Sequence, residues 1–280
     1  MSQDINENRS NWDDRADVHA NGGYGDLQKL IEDEHAITST VKRDLAVLSP
    51  YLPKHSIKDQ RLLHLQCHIG TDTLSWWRLG AKNVHGLDFS PNSLNYAKKI
   101  AKKSGAKINY VQSDARYAVK EMSDQLASFD VIVTSAGTIT WLPDLNDWAQ
   151  SIADLLAPGG VFMVRDNHPL LFALDNEGLE IVADYFSGTE VSYESNASYT
   201  PDSAGKIKHT HNHNWAHDFA EITHVLIAAG LTIEAIGEEQ ITDWKALPML
   251  KFSESDEGWV LPDDQPHIPL TFSIVARKKI

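Results

Sequence analysis

The chain has 280 residues, 23% of them charged, and a formal net charge of −14 at pH 7. Nucleic-acid binding draws its affinity from lysine and arginine side chains that neutralise phosphates, so this charge predicts that no nucleic acid is bound. No apolar run approaches the roughly 18 residues that a membrane span needs, and we therefore expect no membrane partner. The polar, acidic start MSQDINENRSNWDD lacks the basic and apolar regions of a secretory signal, and a single cysteine fits a reducing compartment; we predict a cytoplasmic location.

Helical and strand-like patterns alternate over the first part of the sequence. Residues 26–48 place apolar side chains near one helical stripe and predict a helix that leads into the main domain. Strands are then expected at 61–65, 83–87, 108–112, 129–134 and 160–165, and helices at 71–79, 91–104, 117–127 and 144–156. Strands separated by helices form parallel sheets, so the predicted fold class is α/β, with a doubly wound and mostly parallel sheet.

The pattern changes after residue 165. Residues 166–215 are rich in Asp, Asn, Ser, Tyr and His and predict an insertion over the sheet. A helix at 216–229 is followed by strands at 231–236 and 270–276, and the absence of a helical pattern between these strands predicts an antiparallel pair. The predicted organisation is an N-terminal lid or helical segment at 1–54, a main domain at 55–165 and 216–280, and an insertion at 166–215 near the substrate site.

Two acids stand where an open parallel sheet binds its ligands, beyond the carboxyl ends of the strands. Asp88 follows the second strand, and a carboxylate about 20 residues beyond the first turn can accept hydrogen bonds from both ribose hydroxyls. Its alternative role is to cap a helix, although Ser90 is the better cap. Asp114 ends the third strand, where its carboxylate could accept a hydrogen bond from an adenine amino group.

In their order along the chain, these features resemble the class I S-adenosylmethionine-dependent methyltransferases. The matches are His64 to Gly70, Asp88, Asp114-Ala115, Phe129-Asp130-Val131-Ile132-Val133, Leu156-Ala157-Pro158-Gly159-Gly160 and the last strand, Phe272 to Arg277. The stretch HLQCHIGTDTL is similar to the first motif of a small-molecule subgroup of that family. The resemblance implies a Rossmann-like methyltransferase sheet, S-adenosyl-L-methionine as co-substrate, and methyl transfer to oxygen or nitrogen of a small-molecule acceptor.

The first motif departs from the usual pattern of that family. His64 stands in place of an acid, and Gln66 and His68 stand in place of two of three glycines. Glycine permits unusual φ angles and close approach of the backbone to a ligand, a freedom that only Gly70 retains here. A helix that begins at Thr71 would still offer free amide groups and a dipole to the methionine carboxylate of the co-substrate.

The resemblance implies contacts in the N-terminal segment, the first turn and the ends of the next strands. Trp12, Arg15 and Tyr24 could contact the co-substrate or the acceptor as parts of a lid, or they could only anchor the terminus. The predicted cofactor-binding residues are Trp12, Gln66, Cys67, His68, Gly70, Thr71, Asp88, Phe89, Ser90, Asp114, Ala115 and Ser135. The predicted substrate residues are Trp141, Asn167 and Tyr199.

Methyl transfer to an alcohol or a protonated amine needs a base, and histidine is the natural candidate. His168 follows the fifth strand and is expected near the transferred methyl group, unless it caps a loop. In extended chain, His209, His211 and His213 would share one face, which leaves a surface role, a pocket wall or base, and a metal site open. The predicted catalytic residues are His168, His213 and His217, without a metal.

Two other functions are compatible with the sequence. The weakened first motif would suit a regulatory protein that binds S-adenosylmethionine or S-adenosylhomocysteine without turnover. A metal held by the face of His209, His211 and His213 would instead assist methyl transfer. We expect a monomer or a homodimer.

Overall fold

The computed structural model describes residues 2–175, 179–200 and 205–280. The strands are β1 (Arg61–Leu65), β2 (Lys82–Asp88), β3 (Asn109–Gln112), β4 (Phe129–Thr134), β5 (Leu156–Asn167), β6 (Glu190–Glu194), β7 (His211–Trp215), β8 (Leu231–Glu239), β9 (Ile241–Thr242), β10 (Lys251–Ser253), β11 (Gly258–Val260) and β12 (Thr271–Lys278). The helices are α1 (Gln3–Val18), α2 (Leu27–Glu32), α3 (Ser39–Leu48), α4 (Thr71–Arg78), α5 (Pro91–Lys103), α6 (Ala118–Glu121), α7 (Asn146–Leu155) and α8 (Phe219–Ala228). Within these described ranges, no helix combines the length and the apolar character needed to cross a membrane.

The central sheet has the strand order β3-β2-β1-β4-β5-β12-β8. Strands β1 to β5 pair in parallel, and β12 pairs antiparallel with both β5 and β8. The predicted fold class, a doubly wound sheet with an antiparallel final strand, is confirmed. Strand order reverses between β1 and β4, so the carboxyl ends of these two strands border the crevice in which such sheets bind ligands.

Helices cover both faces of the sheet, which explains why its central strands are apolar along their length. Successive side chains of a strand point to opposite faces. On β4, Ile132 therefore joins the core cluster that contains Trp148 and Phe162, whereas Val131 and Val133 join the cluster under α3 and α4. All five side chains are fully buried. The free energy of burying such side chains, ~1.5–3 kcal/mol each, holds the sheet together.

Two predicted helices differ in the structure: one is divided in two, and the other is shorter. The stripe over residues 26–48 forms α2 and α3, which are separated by exposed residues 33–35. A new helix starts because the Thr38 hydroxyl caps α3 by accepting a hydrogen bond from Val41 N (3.4 Å). The helix predicted at 117–127 is α-helical only over Ala118–Glu121.

We call α1 and the β6–β7 hairpin the cover. The hairpin lies within the predicted insertion, and its strands pair antiparallel. No hydrophobic pattern predicts α1, because its buried face includes the polar residues Asn8, Asn11 and Arg15. Asn8 exchanges two hydrogen bonds with the backbone of His213 (2.8 and 2.9 Å), and Asn11 Nδ2 donates to His209 O (2.6 Å). The two parts of the cover are thus joined by polar contacts.

Candidate active site

The turn between β1 and α4 holds three residues in the left-handed conformation that glycine adopts most readily, although only one of them is a glycine. Gln66, His68 and Gly70 all have φ in the left-handed region, at 55°, 48° and 78°. This conformation costs a residue other than glycine ~1–2 kcal/mol. Hydrogen bonds offset the cost, since Gln66 Nε2 donates to Thr138 O (3.0 Å) and His68 N donates to Asp88 Oδ2 (2.8 Å). The unusual residues therefore fit the turn.

At Gly70, the turn has no room for a side chain. A Cβ atom there would lie 2.6 Å from Tyr110 Oη and 2.8 Å from Ala97 Cβ. Helix α4 begins directly afterwards with Thr71, which is buried. Cys67 is buried in the same turn, and burial raises the pKa of its thiol well above the usual value. Since the thiolate is the nucleophile, this shift argues against a nucleophilic role for Cys67, and its predicted contact with the co-substrate stays a prediction.

Asp88 lies at the end of β2, beside the first turn. Its carboxylate accepts hydrogen bonds from His68 N (2.8 Å) and Ser90 N (2.9 Å), which fix its orientation. Burial raises the pKa of Asp88 to about 6, although these backbone bonds oppose the shift. The cap of α5 is Ser90, whose hydroxyl accepts from Ser93 N (3.0 Å). Asp88 is therefore free of the capping role and retains acceptor sites for a ligand.

The second predicted acid lies at the end of the neighbouring strand. Asp114 accepts two hydrogen bonds from the Arg116 guanidinium (3.1 and 2.7 Å). Ser113 N donates to the backbone oxygen of Asp88 (3.0 Å), so the segments that carry the two acids are joined. Ala115 is buried beside them. The structure thus brings the predicted nucleoside-binding acids to adjacent strand ends.

Aromatic rings from the N-terminal segment, the first turn, the loop after β4 and the predicted insertion contact one another. Trp12 makes edge contacts with His68 and with Trp141, at ring-centroid distances of 5.0 and 5.2 Å. Trp12 therefore bridges the first turn and the loop after β4, between which strand order reverses. We call this group the aromatic cluster; its members are Trp12, His19, Tyr24, His68, Trp141 and Tyr199.

Two buried histidines link the first turn to the N-terminal segment. His68 Nε2 and His19 Nδ1 are 2.7 Å apart and share a hydrogen bond. Their outer ring nitrogens bind Ser93 Oγ (2.9 Å) and Ser198 Oγ (2.7 Å). Burial lowers the pKa of His68 to about 3 and also lowers that of His19. Both rings are therefore neutral, and one of them donates the shared proton.

Asp166 shapes the loop that follows β4. Its carboxylate accepts hydrogen bonds from the backbone N–H groups of Gly137, Thr138 and Ile139 at 2.7, 2.8 and 3.0 Å. The same loop carries Trp141, whose Nε1 donates to Gly137 O (3.0 Å). Asp166 thereby fixes the position of Trp141 against Trp12.

Three further predicted residues lie around the same strand ends. Asn167 Oδ1 accepts a hydrogen bond from Trp244 Nε1 (2.9 Å), and the Trp244 ring contacts Tyr199 at a centroid distance of 5.8 Å. The Ser135 hydroxyl donates to Asp44 Oδ2 (2.5 Å) and therefore supports a buried carboxylate. Asn167 and Tyr199 are thus brought together through Trp244.

The three histidines predicted as bases bind other groups of the protein through their ring nitrogens. Those of His168 bind Leu170 N and Glu238. Those of His213 bind Glu7, Glu190 and Ser192, and those of His217 bind Leu142 O and Glu221. Burial opposes a charge on His213, yet the bonds to Glu7 and Glu190 outweigh it and raise the pKa of this histidine. The structure does not bring the three histidines into the aromatic cluster, and their role as bases stays a prediction.

The exposed histidines of the cover pair with separate acids. His209 Nδ1 lies 3.0 Å from Asp14 Oδ2, and His211 Nε2 lies 3.4 Å from Glu194 Oε1. In the part of the chain that the structure describes, no group of three His, Cys, Asp or Glu side chains is arranged to hold a metal ion.

Asp72 lies within the HLQCHIGTDTL stretch, but the sequence analysis assigned it no role. It lies in the first turn of α4. Burial raises the pKa of its carboxyl to about 7, against a hydrogen bond from Thr38 that lowers it. Its charge interacts with the phenols of Tyr24 and Tyr199, which are hydrogen-bonded to each other. A carboxyl whose pKa is raised by burial thus interacts electrostatically with two tyrosines of the aromatic cluster.

Residues 62–160 match a family model described as a methyltransferase domain. Among curated proteins, the ubiquinone biosynthesis O-methyltransferase of Cronobacter sakazakii is 35% identical over 101 residues, which are 36% of this chain and 40% of that protein. The chain thus spans about 40% of the length of this curated relative.

Solved structures share the fold over most of the chain. An S-adenosylmethionine-dependent methyltransferase from Clostridium acetobutylicum has a TM-score of 0.56 at 14% identity, over 86% of this chain and 92% of that one. Another, from Mesorhizobium loti, has a TM-score of 0.54 at 19% identity, over 83% of this chain and 96% of that one. The predicted Rossmann-like methyltransferase fold is confirmed. The enzyme class predicted from the sequence is that of the matching domain, and the predicted co-substrate is the one named for these two solved structures.

Proposed function

We propose that the protein is an S-adenosylmethionine-dependent methyltransferase that acts on oxygen or nitrogen of a small-molecule acceptor. One observation carries the proposal: Asp88, a buried acid at the end of β2, is oriented beside the first turn by two backbone N–H groups. This is the position from which a carboxylate binds ribose hydroxyls in doubly wound sheets. The methyltransferase-domain match over residues 62–160 supports the same function.

The residues around the crevice fit this co-substrate. Asp88 would accept hydrogen bonds from the ribose, and Asp114 would accept one from the adenine amino group. Gln66 Oε1 is buried and has no hydrogen-bond partner among the described residues, so a ligand donor there would relieve an unsatisfied acceptor. When bound, S-adenosylmethionine supplies a methyl group activated by a sulfonium.

We favour an aromatic acceptor that is methylated on oxygen. Trp12, Trp141 and Tyr199 offer ring faces and edges against which a flat molecule can pack. The curated relatives are named O-methyltransferases, which supports an oxygen nucleophile although the match covers only part of their length.

Asp72 is the group best suited to take a proton from such an acceptor. Its pKa of about 7 lies near the working pH, where a side chain can both accept and release a proton. By contrast, the pKa of His68, lowered to about 3 by burial, makes that ring a weak base in the closed site.

Titration calorimetry with S-adenosylhomocysteine tests the binding part of the proposal. We expect Asp88→Ala to weaken binding ~10–100-fold, the effect of losing charge-assisted hydrogen bonds worth about 1.5–3 kcal/mol. Asp124→Ala, which removes an exposed acid from a surface turn, is the matched control and should bind like the wild type. Equal affinities of wild type and Asp88→Ala would contradict the assignment.

Turnover is tested by S-adenosylhomocysteine release with a panel of phenols, catechols and amines. We expect release with a hydroxylated aromatic acceptor, and a kcat lowered ~100-fold or more in Asp72→Asn, since a general base contributes that much. Asp72→Asn should bind S-adenosylhomocysteine like the wild type. Binding without release across the panel would instead favour a regulatory protein without turnover.

A further inference from the structure

Trp244 holds the side-chain amide of Asn167 in one orientation. Its Nε1–H donates a hydrogen bond of 2.9 Å to Asn167 Oδ1, at the end of β5. An indole nitrogen can only donate, so the amide oxygen faces Trp244 and the Nδ2 amino group points elsewhere. The backbone N of Asn167 donates to Asp166, and neither of these two hydrogen bonds uses Nδ2. The amide thus offers a donor that no residue in the described ranges occupies.

The contacts of the preceding residue fix the position of Trp244. Asp243 lies 2.6 Å from the guanidinium of Arg165, which is buried on β5. Side chains alternate along a strand, so Arg165 and Asn167 lie on the same face of β5. Two consecutive residues therefore bind two side chains of one strand face, and the ion pair holds the indole beside the amide.

Asn167 Nδ2 lies on the side of the crevice opposite to the predicted nucleoside-binding acids. A Cβ atom at Gly137 would lie 3.4 Å from this nitrogen, which places the nitrogen against the loop after β4. Asp88 and Asp114 follow β2 and β3, whereas β5 lies beyond β1 and β4 in the sheet. Neighbouring strands are ~4.8 Å apart, so β2 and β5 are separated by about 14 Å. A nucleoside held by the two acids therefore leaves the β5 side for the acceptor.

The Trp244 ring offers an apolar surface next to this donor. It contacts Tyr199, a member of the aromatic cluster, at a centroid distance of 5.8 Å and an interplanar angle of 61°. Because its only polar atom is bound to Asn167, the ring can offer a ligand apolar contact alone. An aromatic acceptor that packs against Trp244 would bring its polar substituent to Asn167 Nδ2.

We infer that Trp244 is a positioning residue through which Asn167 selects an acceptor oxygen. The inference rests on the proposed function and deepens it, since it assigns one donor to the acceptor. Held by Trp244, Nδ2 donates to an oxygen that carries no proton, such as that of a phenolate. An amino group at the same place would set two donors against each other, and a buried donor left unpaired is costly. Without the indole N–H, the amide turns freely and accommodates either group.

Calorimetry with two probes of nearly the same shape measures this selection. The probes are 4-nitrophenol, at about pH 8 where it is ionised, and 4-nitroaniline, each titrated into the S-adenosylhomocysteine complex. Trp244→Phe keeps an aromatic ring but removes the N–H, and it should lower the ratio of the two affinities about tenfold relative to the wild type. Asn167→Leu should lower the ratio at least as much. The double variant should match Asn167→Leu, because Trp244 acts through the amide.

A second tryptophan supplies the matched control. Trp259 lies on β11, where its ring packs against Phe252 at a centroid distance of 5.5 Å. Trp259→Phe should keep the wild-type ratio of the two affinities. The affinity for S-adenosylhomocysteine should stay at the wild-type value in every variant, because the substitutions lie on the acceptor side of the crevice.

Three results for Trp244→Phe overturn the inference: an unchanged ratio, an equal loss of affinity for both probes, or a loss that adds to that of Asn167→Leu in the double variant. A wild-type complex that binds neither probe also overturns it. If Trp244→Phe does not fold, Asn167→Leu decides, since an unchanged ratio there has the same meaning. Failure of the proposed function looks different, because wild-type protein would then not bind S-adenosylhomocysteine, while the ratio measured on nucleoside-free protein would still test the pair.

Discussion

The central sheet and the cover are held by different forces. In the sheet, large apolar side chains such as Trp148 and Phe162 are fully buried. In the cover, α1 buries Asn8 and Asn11, and all residues of β6 are exposed. The sheet therefore depends on hydrophobic burial. The cover buries a few apolar side chains, such as Ile5 and Val18, but α1 and the hairpin are joined by hydrogen bonds worth ~0.5–1.5 kcal/mol each. We expect the cover to open without unfolding of the sheet, as weakly held elements of proteins do.

The contact between α1 and α5 shows the same polar character. Asp13 of α1 accepts hydrogen bonds from Ser90 Oγ (2.6 Å) and Asn92 N (3.1 Å), and Asp17 accepts one from Asn92 Nδ2 (2.9 Å). Acids at a helix N-terminus are favoured by the helix dipole. Because Asp88 lies two residues before Ser90, this contact places α1 over the predicted ribose site.

The largest expected effect is in the core of the sheet. Phe162→Ala should lower the free energy of unfolding by ~3–5 kcal/mol, because it removes a buried ring and leaves a cavity. Chemical denaturation measures this loss. Val191→Ala on exposed β6 is the control and should change the free energy by less than about 0.5 kcal/mol. Similar losses in the two variants would contradict the distinction between sheet and cover.

A smaller and local effect is expected in the cover. Asn8→Ala removes both hydrogen bonds to the His213 backbone, and the partners left unpaired cost ~1–3 kcal/mol. Amide hydrogen exchange should accelerate in Gln3–Val18 and His211–Trp215 while the sheet strands keep their protection. Gln3→Ala, at an exposed position of the same helix, is the control. Uniform acceleration across the sheet would show that the cover does not open independently.

The acid of the predicted ribose site should make binding depend on pH. Burial raises the pKa of Asp88 to about 6, so the carboxylate is mostly protonated at pH 5 and ionised at pH 7.5. Because the ionised form is the stronger acceptor, S-adenosylhomocysteine affinity should rise roughly tenfold over this range. Asp88→Asn cannot titrate and should lose that rise, which calorimetry at several pH values measures. A slope retained in full by Asp88→Asn would assign the pH dependence to another group, such as Asp72.

The smallest effect is expected at the exposed histidines of the cover. His211→Ala removes a solvent-exposed pair with Glu194, and such pairs contribute ~0–1 kcal/mol. Denaturation and S-adenosylhomocysteine titration should both give wild-type values. A loss of affinity of tenfold or more would place the ligand against the hairpin and contradict the assignment of the site to the strand ends.

The sheet, which is held by apolar side chains, was predictable from the sequence, whereas the polar helix α1 of the cover was not. The positions of the main-sheet strands along the chain, and those of Asp88 and Gly70, follow from hydrophobic runs and turn chemistry within short windows. Helix α1 escaped prediction because its buried face is polar, although Trp12, Arg15 and His19 recur at helical spacing. That spacing was the available signal for a helix with one functional face.

The side-chain contacts of the site could not be predicted for a different reason. The pairs His19–His68 and Tyr24–Tyr199 join residues that are far apart in sequence, so no local pattern records them. The partners of the predicted bases could not be read from the sequence either. His168 directly follows β5, as predicted, yet its ring binds Glu238 of β8, which is distant in sequence. Local patterns place a residue on an element but do not determine its partner.

The most direct test of the account is hydrogen exchange of the wild-type protein with saturating S-adenosylhomocysteine. We expect slower exchange in the first turn, 66–71, around Asp88, and along Gln3–Val18, because the ligand binds at the strand ends and the cover closes over it. Unchanged exchange at 66–71, with protection confined to the hairpin at 190–215 or found nowhere, would contradict the claim that the strand ends form the co-substrate site.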